Sequence, residues 1–216
     1  MYRRHFVKLS ATTMAALLFS SLTHAESGNP LINMPDEVWA QAGAEWFRLK
    51  TAGGSSFTFN DTEVSLKTNG NALGVYVQSP SIALTGVRLK WKYQIKPSTK
   101  VLGDHWERCY GDAAWKSPDS STKNPWYVLL HDDTETACFG VKTGCNTICW
   151  WNVNSDSLEL TLDTHSGGVG VQLGSRKLYA ADIITTVSTA TETPFLTAQR
   201  FCKLMCEKPR LPKQPV

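Results

Sequence analysis

An all-β fold, a large antiparallel β-sandwich of the supersandwich kind with one short C-terminal helix, is predicted by three features of the chain. From Trp46 to Val187, runs of four to eight residues rich in Val, Leu, Thr, Phe and Trp are broken by Gly, Asn, Asp or Pro, the pattern of antiparallel strands joined by turns. Within this stretch Val87, Leu89, Trp91, Tyr93 and Ile95 alternate strictly with Arg88, Lys90, Lys92 and Gln94, as in a strand with one dry and one wet face. Only after Glu192 does the period change to that of a helix, too late to supply a second layer.

The first element is a leader. Tyr2-Arg3-Arg4-His5-Phe6-Val7-Lys8 precedes an apolar run from Leu9 to Leu22 and then Thr23-His24-Ala25, the layout of a signal peptide with cleavage after a small residue. The adjacent arginines fit the twin-arginine export signal, and the ordinary secretory route accepts the same features. The run is diluted by Ser and Thr and falls short of the roughly 20 residues of a membrane span. Residues 1–25 are therefore read as a signal, and the product as periplasmic or secreted. Cleavage removes Arg3, Arg4 and Lys8 and no acid, so Lys+Arg falls from 22 to 19 against 19 Asp+Glu. A neutral mature chain lacks the charge that draws proteins to nucleic acid or anionic membranes, and neither partner is expected. Residues 26–207 suffice for one domain with a sizeable core.

The expected strands are 45–51, 56–59, 63–68, 73–79, 82–95, 126–131, 137–142, 147–152, 158–163, 169–173 and 180–188. The cations of the 82–95 strand are read as a solvated outer face balanced by neighbouring acids. Trp150 and Trp151 must face opposite sides of their strand, one into the core and the other outward. The final helix starts near Thr193-Pro194 and sets Phe195, Ala198, Phe201, Cys202 and Met205 on one side. Cys202 and Cys206 are expected to be buried there as small apolar residues, because helical geometry at that spacing rarely suits a disulfide. Lys208 to Val216 carries three prolines and three cations in nine residues, the composition of an extended linker. Of the six cysteines, Cys145 and Cys149 have a spacing that zinc sites use, yet no His lies near them in sequence, so neither metal nor cofactor is expected.

Between Lys96 and Pro125 the strand pattern stops for roughly thirty residues, longer than ordinary connections. Inside lies Leu102-Gly-Asp-His-Trp-Glu-Arg-Cys-Tyr-Gly-Asp-Ala-Ala-Trp115, whose aromatics argue against disorder. Aromatic faces stack on the C–H faces of sugars, and carboxylates with a guanidinium bond their hydroxyls. Asp104, Trp106, Glu107, Arg108, Tyr110, Asp112 and Trp115 are accordingly the candidate carbohydrate-binding residues. Two other accounts use the same segment. In one, Trp106 and Trp115 plug the open end of the sandwich and Arg108 pairs with Glu107 or Asp104, although carboxylates are costly to bury merely as packing. In the other, Glu107 and Asp112 form the carboxylate pair of a small glycosidase. His105, His131 and His165 have no evident catalytic neighbours in sequence.

The order Lys96-Pro-Ser-Thr-Lys-Val-Leu-Gly-Asp104, Trp106-Glu-Arg108, Tyr110-Gly-Asp112, Val141-Lys-Thr-Gly144, Phe201-Cys-Lys-Leu-Met-Cys206 and Lys208 to Pro215 resembles the amino-terminal region of bacterial α-galactosidase-like (melibiase-type, clan D) glycoside hydrolases. The resemblance runs over the mature chain and is strongest from Lys96 onward. It implies a β-sandwich preceding a (β/α)8 barrel, with the Pro-rich segment leading into the barrel. The family's catalytic carboxylates lie on barrel strands, so no catalytic residue is implied within this chain. The expectation is an exported, non-catalytic sandwich, the amino-terminal part of a glycosidase truncated in its gene or paired with a separate barrel chain. The loop from Asp104 to Trp115 would then reach the barrel mouth and line a galactoside subsite. A free-standing carbohydrate-binding module is the alternative. A sandwich that normally carries a barrel would also expose an apolar patch when alone.

Overall fold

A computed structural model describes residues 34–107, 111 and 113–207. The signal peptide, the Pro-rich linker, Arg108, Cys109, Tyr110 and Asp112 lie outside them. The described chain is all-β with one helix. Its strands are β1 (Glu37–Ala42), β2 (Glu45–Gly53), β3 (Ser56–Phe59), β4 (Thr62–Asn69), β5 (Ala72–Gln78), β6 (Gly86–Lys92), β7 (Lys100–Gly103), β8 (Asn124–Pro125), β9 (Tyr127–His131), β10 (Thr136–Val141), β11 (Ile148–Val153), β12 (Ser157–Asp163) and β13 (Leu178–Val187), followed by α1 (Pro194–Met205).

The strands form one antiparallel sheet in the order β7-β9-β10-β13-β5-β4-β3-β2-β1-β6-β12-β11-β8. It doubles over at β2, whose first half pairs with β1 (Val38 opposite Leu49) while its second half pairs with β3 (Lys50 opposite Thr58). A register shift between Thr51 and Gly53 accompanies the change of partner, as a bulge that bends a strand would. The result is two layers on a shared core rather than two separate sheets. Phe139 of β10 meets Trp151 of β11 with ring centroids 6.0 Å apart, and Trp91 of β6 lies 6.0 Å from Trp151.

The far edges of the two layers meet at Trp126. Its N–H donates to Cys149 O (3.3 Å) in one layer, and its carbonyl accepts from Val141 N (2.9 Å) in the other. The same carbonyl accepts from Trp151 Nε1 at 3.3 Å. Trp126 has φ 65°, a left-handed conformation that a bulky residue keeps only when its surroundings over-determine it, and these three bonds do so.

Ten of the eleven expected strands are present within a few residues of their bounds. The expected strand at 169–173 is absent; the segment instead makes single bridges, Leu84 to Val171 and Ser166 to Val169. Gly167, Gly168 and Gly174 adopt φ of 61°, 81° and 58°, a left-handed backbone that interrupts a ladder. Three strands went unrecognised. β1 escaped because its inward residues, Val38 and Ala40, are small and its Trp39 points out, where its Nε1 donates to Glu37 (3.1 Å). β7 and β8 are four and two residues long, inside what reads as loop.

The alternation in β6 holds: Val87 and Leu89 are fully buried, while Arg88 and Lys90 pair with Glu159 of β12 at 3.9 and 3.4 Å and Arg88 stacks on Trp46 at 4.2 Å. Two cations of the basic face thus share one acid, Glu159, on the adjacent strand.

Helix α1 begins where expected, with Thr193 accepting from Leu196 N (3.4 Å) as N-cap and Pro194 in the first turn. It packs on the outside of the second layer through Phe201 and Met205, against Leu129, Cys138, Ile184 and Ala72. Gly140 makes room, since a Cβ there would sit 2.7 Å from Phe201 Cζ and 2.8 Å from Met205 Sδ. The buried stripe is Thr197, Phe201 and Met205, narrower than expected. Phe195 is 73% exposed, and Cys202 and Cys206 are exposed rather than buried. At about 100° per residue, Cys202 lies about 100° and Phe195 about 120° from the centre of the Thr197, Phe201 and Met205 stripe, off the contact face. Arg200 fastens the helix start: its Nε and Nη2 bond the two Glu192 oxygens (2.8 Å each), Nη1 bonds Thr186 Oγ1 (2.6 Å) and Nη2 bonds Val187 O (2.7 Å).

Gly140→Ala is expected to destabilise the protein by about 1–3 kcal/mol through overpacking beneath α1, measurable by urea unfolding. The Arg200 bond, with the Thr189 N–H, holds the Glu192 carboxyl down to about 2 from its ordinary 4.5. A lowered folded value means the carboxylate stabilises above the ordinary value, and the contribution disappears as pH falls from about 4.5 towards 2. Over that interval the thermal midpoint of the wild type should drop more than that of Glu192→Gln.

Candidate functional site

The segment from Gly103 to Asn124 is tied down at several points. Lys116 exchanges both backbone bonds with Val101 of β7 (2.8 and 2.9 Å). Asn152 Nδ2 donates to Ser120 O (3.2 Å) and Thr122 O (3.0 Å), and Asn124 Nδ2 donates to Trp151 O (3.2 Å). Asp119 folds its own turn: Oδ1 accepts from Ser121 N (2.9 Å) and Oγ (2.8 Å), and Oδ2 from Thr122 Oγ1 (3.1 Å). The Ser121 and Thr122 bonds hold its carboxyl below the usual carboxylate range.

These ties leave an open cavity of about 270 Å³ at the end of β7, where Asp104, His105, Lys116, Asp119 and Asn124 supply polar groups and Val101 and Val153 an apolar floor. Gly103 matters to its shape, because a Cβ there would stand 2.1 Å from Asn124 Oδ1. Asp104 Oδ1 accepts from His105 N at 2.9 Å, which orients the carboxyl at the cavity wall.

Of the candidates chosen from sequence, Asp104 lines this cavity and Trp106 and Trp115 adjoin it in sequence. The two tryptophans belong to separate aromatic pairs. Trp106 stands edge to face with Trp150 (6.3 Å, 70°), and Lys123 Nζ lies 4.5 Å from the centre of the Trp150 ring. Trp115 leans on His131 at 5.6 Å. Trp106 is 47% and Trp115 39% exposed, more open than residues that plug a sandwich end. Glu107 is exposed, and Arg108, Tyr110 and Asp112 lie outside the described residues. Sequence reasoning missed His105, Lys116, Asp119 and Asn124. For Asp119 and its neighbours a signal existed, since Pro118-Asp-Ser-Ser-Thr122 is a strong turn sequence, but nothing in it announces a cavity wall.

The neighbouring tryptophans divide as their strand requires. Trp151 is 1% exposed and takes part in the core, whereas Trp150 faces out beneath Lys123 and Trp106. Among the described residues no group of three or more His, Cys, Asp and Glu side chains is placed to hold a metal, and no helix is long and apolar enough to cross a membrane. Comparison with protein-family models, with curated proteins and with solved structures finds no match to this chain.

Trp151→Ala should cost about 3–5 kcal/mol of stability through the cavity it opens. Trp150→Ala should cost about 1–2.5 kcal/mol, the edge-to-face and cation–π contributions together. Paired denaturation curves check the difference.

Proposed function

We propose that the chain is an exported carbohydrate-binding β-sandwich domain of an α-galactosidase-like glycoside hydrolase, contributing sugar contacts and domain packing rather than catalytic groups. The observation that carries the reading is the open cavity at the end of β7, polar on its walls, apolar on its floor and bordered in sequence by the exposed Trp106 and Trp115. A sugar ring needs this combination of a stacking face and hydroxyl partners. The exposed Trp106 offers a stacking face, and Asp104, His105, Lys116 and Asn124 offer donors and acceptors in the cavity.

The cavity's acids support a binding role. A glycosidase acid must keep its proton near neutrality, which takes a raised pKa. Asp119 is shifted the other way by its turn bonds. Packing beside a second domain is supported by Phe195, Leu196 and Leu204, which α1 presents to the outside at 73%, 47% and 37% exposure.

Titration with galactosides and plant oligosaccharides, followed by tryptophan fluorescence or calorimetry, should show weak saturable binding, with a Kd of about 1 mM. Trp106→Ala should weaken it about three- to tenfold. A flat titration with every sugar overturns the binding role. Hydrolysis of an aryl galactoside that disappears in Glu107→Gln overturns the non-catalytic one.

A further inference from the structure

The turn from β10 to β11, residues 142–147, carries a thiol pair remote in role from the sugar site. Cys145 sits in the turn, half-buried, and Cys149 is the second residue of β11 and fully buried. Both pack against the same core four residues apart in the chain, and each thiol is the largest influence on the other's proton affinity. Cys145 Sγ also lies 3.1 Å from Thr147 O.

The turn is held in place by β13. Lys142 N donates to Asp182 O (2.8 Å), Asn146 N to Ala180 O (3.1 Å), Asn146 Nδ2 to Tyr179 O (2.8 Å) and Thr147 Oγ1 to Ala180 O (3.2 Å). The backbone on both sides of Cys145 is therefore fixed, which holds its thiol on the same side of the turn as the core that receives Cys149.

The two sulfurs are also unlike. The hydrogen bond from Cys149 and the bonds of Thr147 bring the Cys145 thiol down to about 6 despite its burial. Sharing its proton with Cys145, and then burial, push Cys149 upward. Such asymmetry provides one accessible attacking thiolate and one protected partner. The other described cysteines are placed differently: Cys138 lies in the small core under α1, where burial pushes it up to about 12, and Cys202 and Cys206 are exposed on or just after the helix.

We propose that Cys145 and Cys149 are a disulfide-forming pair, closed by exchange with a small-molecule or protein disulfide. The Cys145 thiolate attacks one sulfur of the oxidant, forming a mixed disulfide and releasing one thiolate. Cys149 then loses its proton and attacks Cys145 Sγ, expelling the second thiolate. The pair gives up two electrons and two protons, and the oxidant leaves as two thiols. The cross-link falls beside the carbonyl of Cys149 that receives the Trp126 N–H, so it reinforces the place where the two layers are joined.

The test uses the purified chain incubated with glutathione disulfide, alkylated and digested with trypsin. Residues 143–176 form one tryptic peptide that holds Cys145, Cys149 and no other cysteine. It should appear two hydrogens lighter and unalkylated, and regain both alkyl groups only after reduction. Reduction should lower the thermal midpoint of the wild type by about 4–8 °C and leave Cys145→Ser unchanged. Cys145→Ser spares the fully buried Cys149, which keeps the comparison sound if Cys149→Ser fails to fold. Recovery of the wild-type peptide with both cysteines alkylated after oxidation, or linked to Cys109, Cys138, Cys202 or Cys206, overturns the proposal.

Discussion

Near-closure of a single sheet on itself is the constraint from which the rest of this structure follows. An open sheet of this length would present two bare edges, with unpaired N–H and C=O groups ready to recruit another chain. At one side the chain avoids an edge by passing β2 from layer to layer, each half taking a different partner. At the other, the single residue Trp126 bonds both layers at once in a backbone conformation a bulky residue seldom adopts. The core between the layers depends on this arrangement: Phe139 can meet Trp151 and Trp91 only if the two layers are brought face to face.

The same closure positions the cavity. β8, short as it is, pairs with β11 next to Trp126, and it places Asn124 against the Trp151 carbonyl on one side and Gly103 on the other. The segment from Gly103 to Asn124 thus starts and finishes on fixed points. A surface loop held at both ends loses less conformational entropy on meeting a ligand, which lowers the cost of binding in an open, polar hollow.

What could be read from sequence and what could not divide along physical lines. Strands with a clear period of two, such as Val87 to Lys92, were legible because burial on one face imposes alternation. β1 was hidden because Ala40 and an outward Trp39 blur that contrast. The helix start at Thr193-Pro194 was legible from its capping chemistry, but the position of its buried stripe was not, because Gly140 on another element decides where α1 can approach. The division of Trp150 from Trp151 needed only strand geometry. The cavity itself needed Lys116 brought to Val101 and Asn152 to Thr122, contacts between segments that no local pattern encodes.

Helix α1 rests on a core of its own, built by Phe201 and Met205 on Leu129, Cys138 and Ile184 and separated from the interior of the sandwich by the sheet it covers. Backbone pairing within the sheet does not pass through the helix, and its start is fastened chiefly by the Arg200 cluster at the end of β13. The protein is therefore built as two cooperative layers of unequal strength. Detachment of the helix would open the outer face of β10 and β13 without breaking any ladder of the sheet.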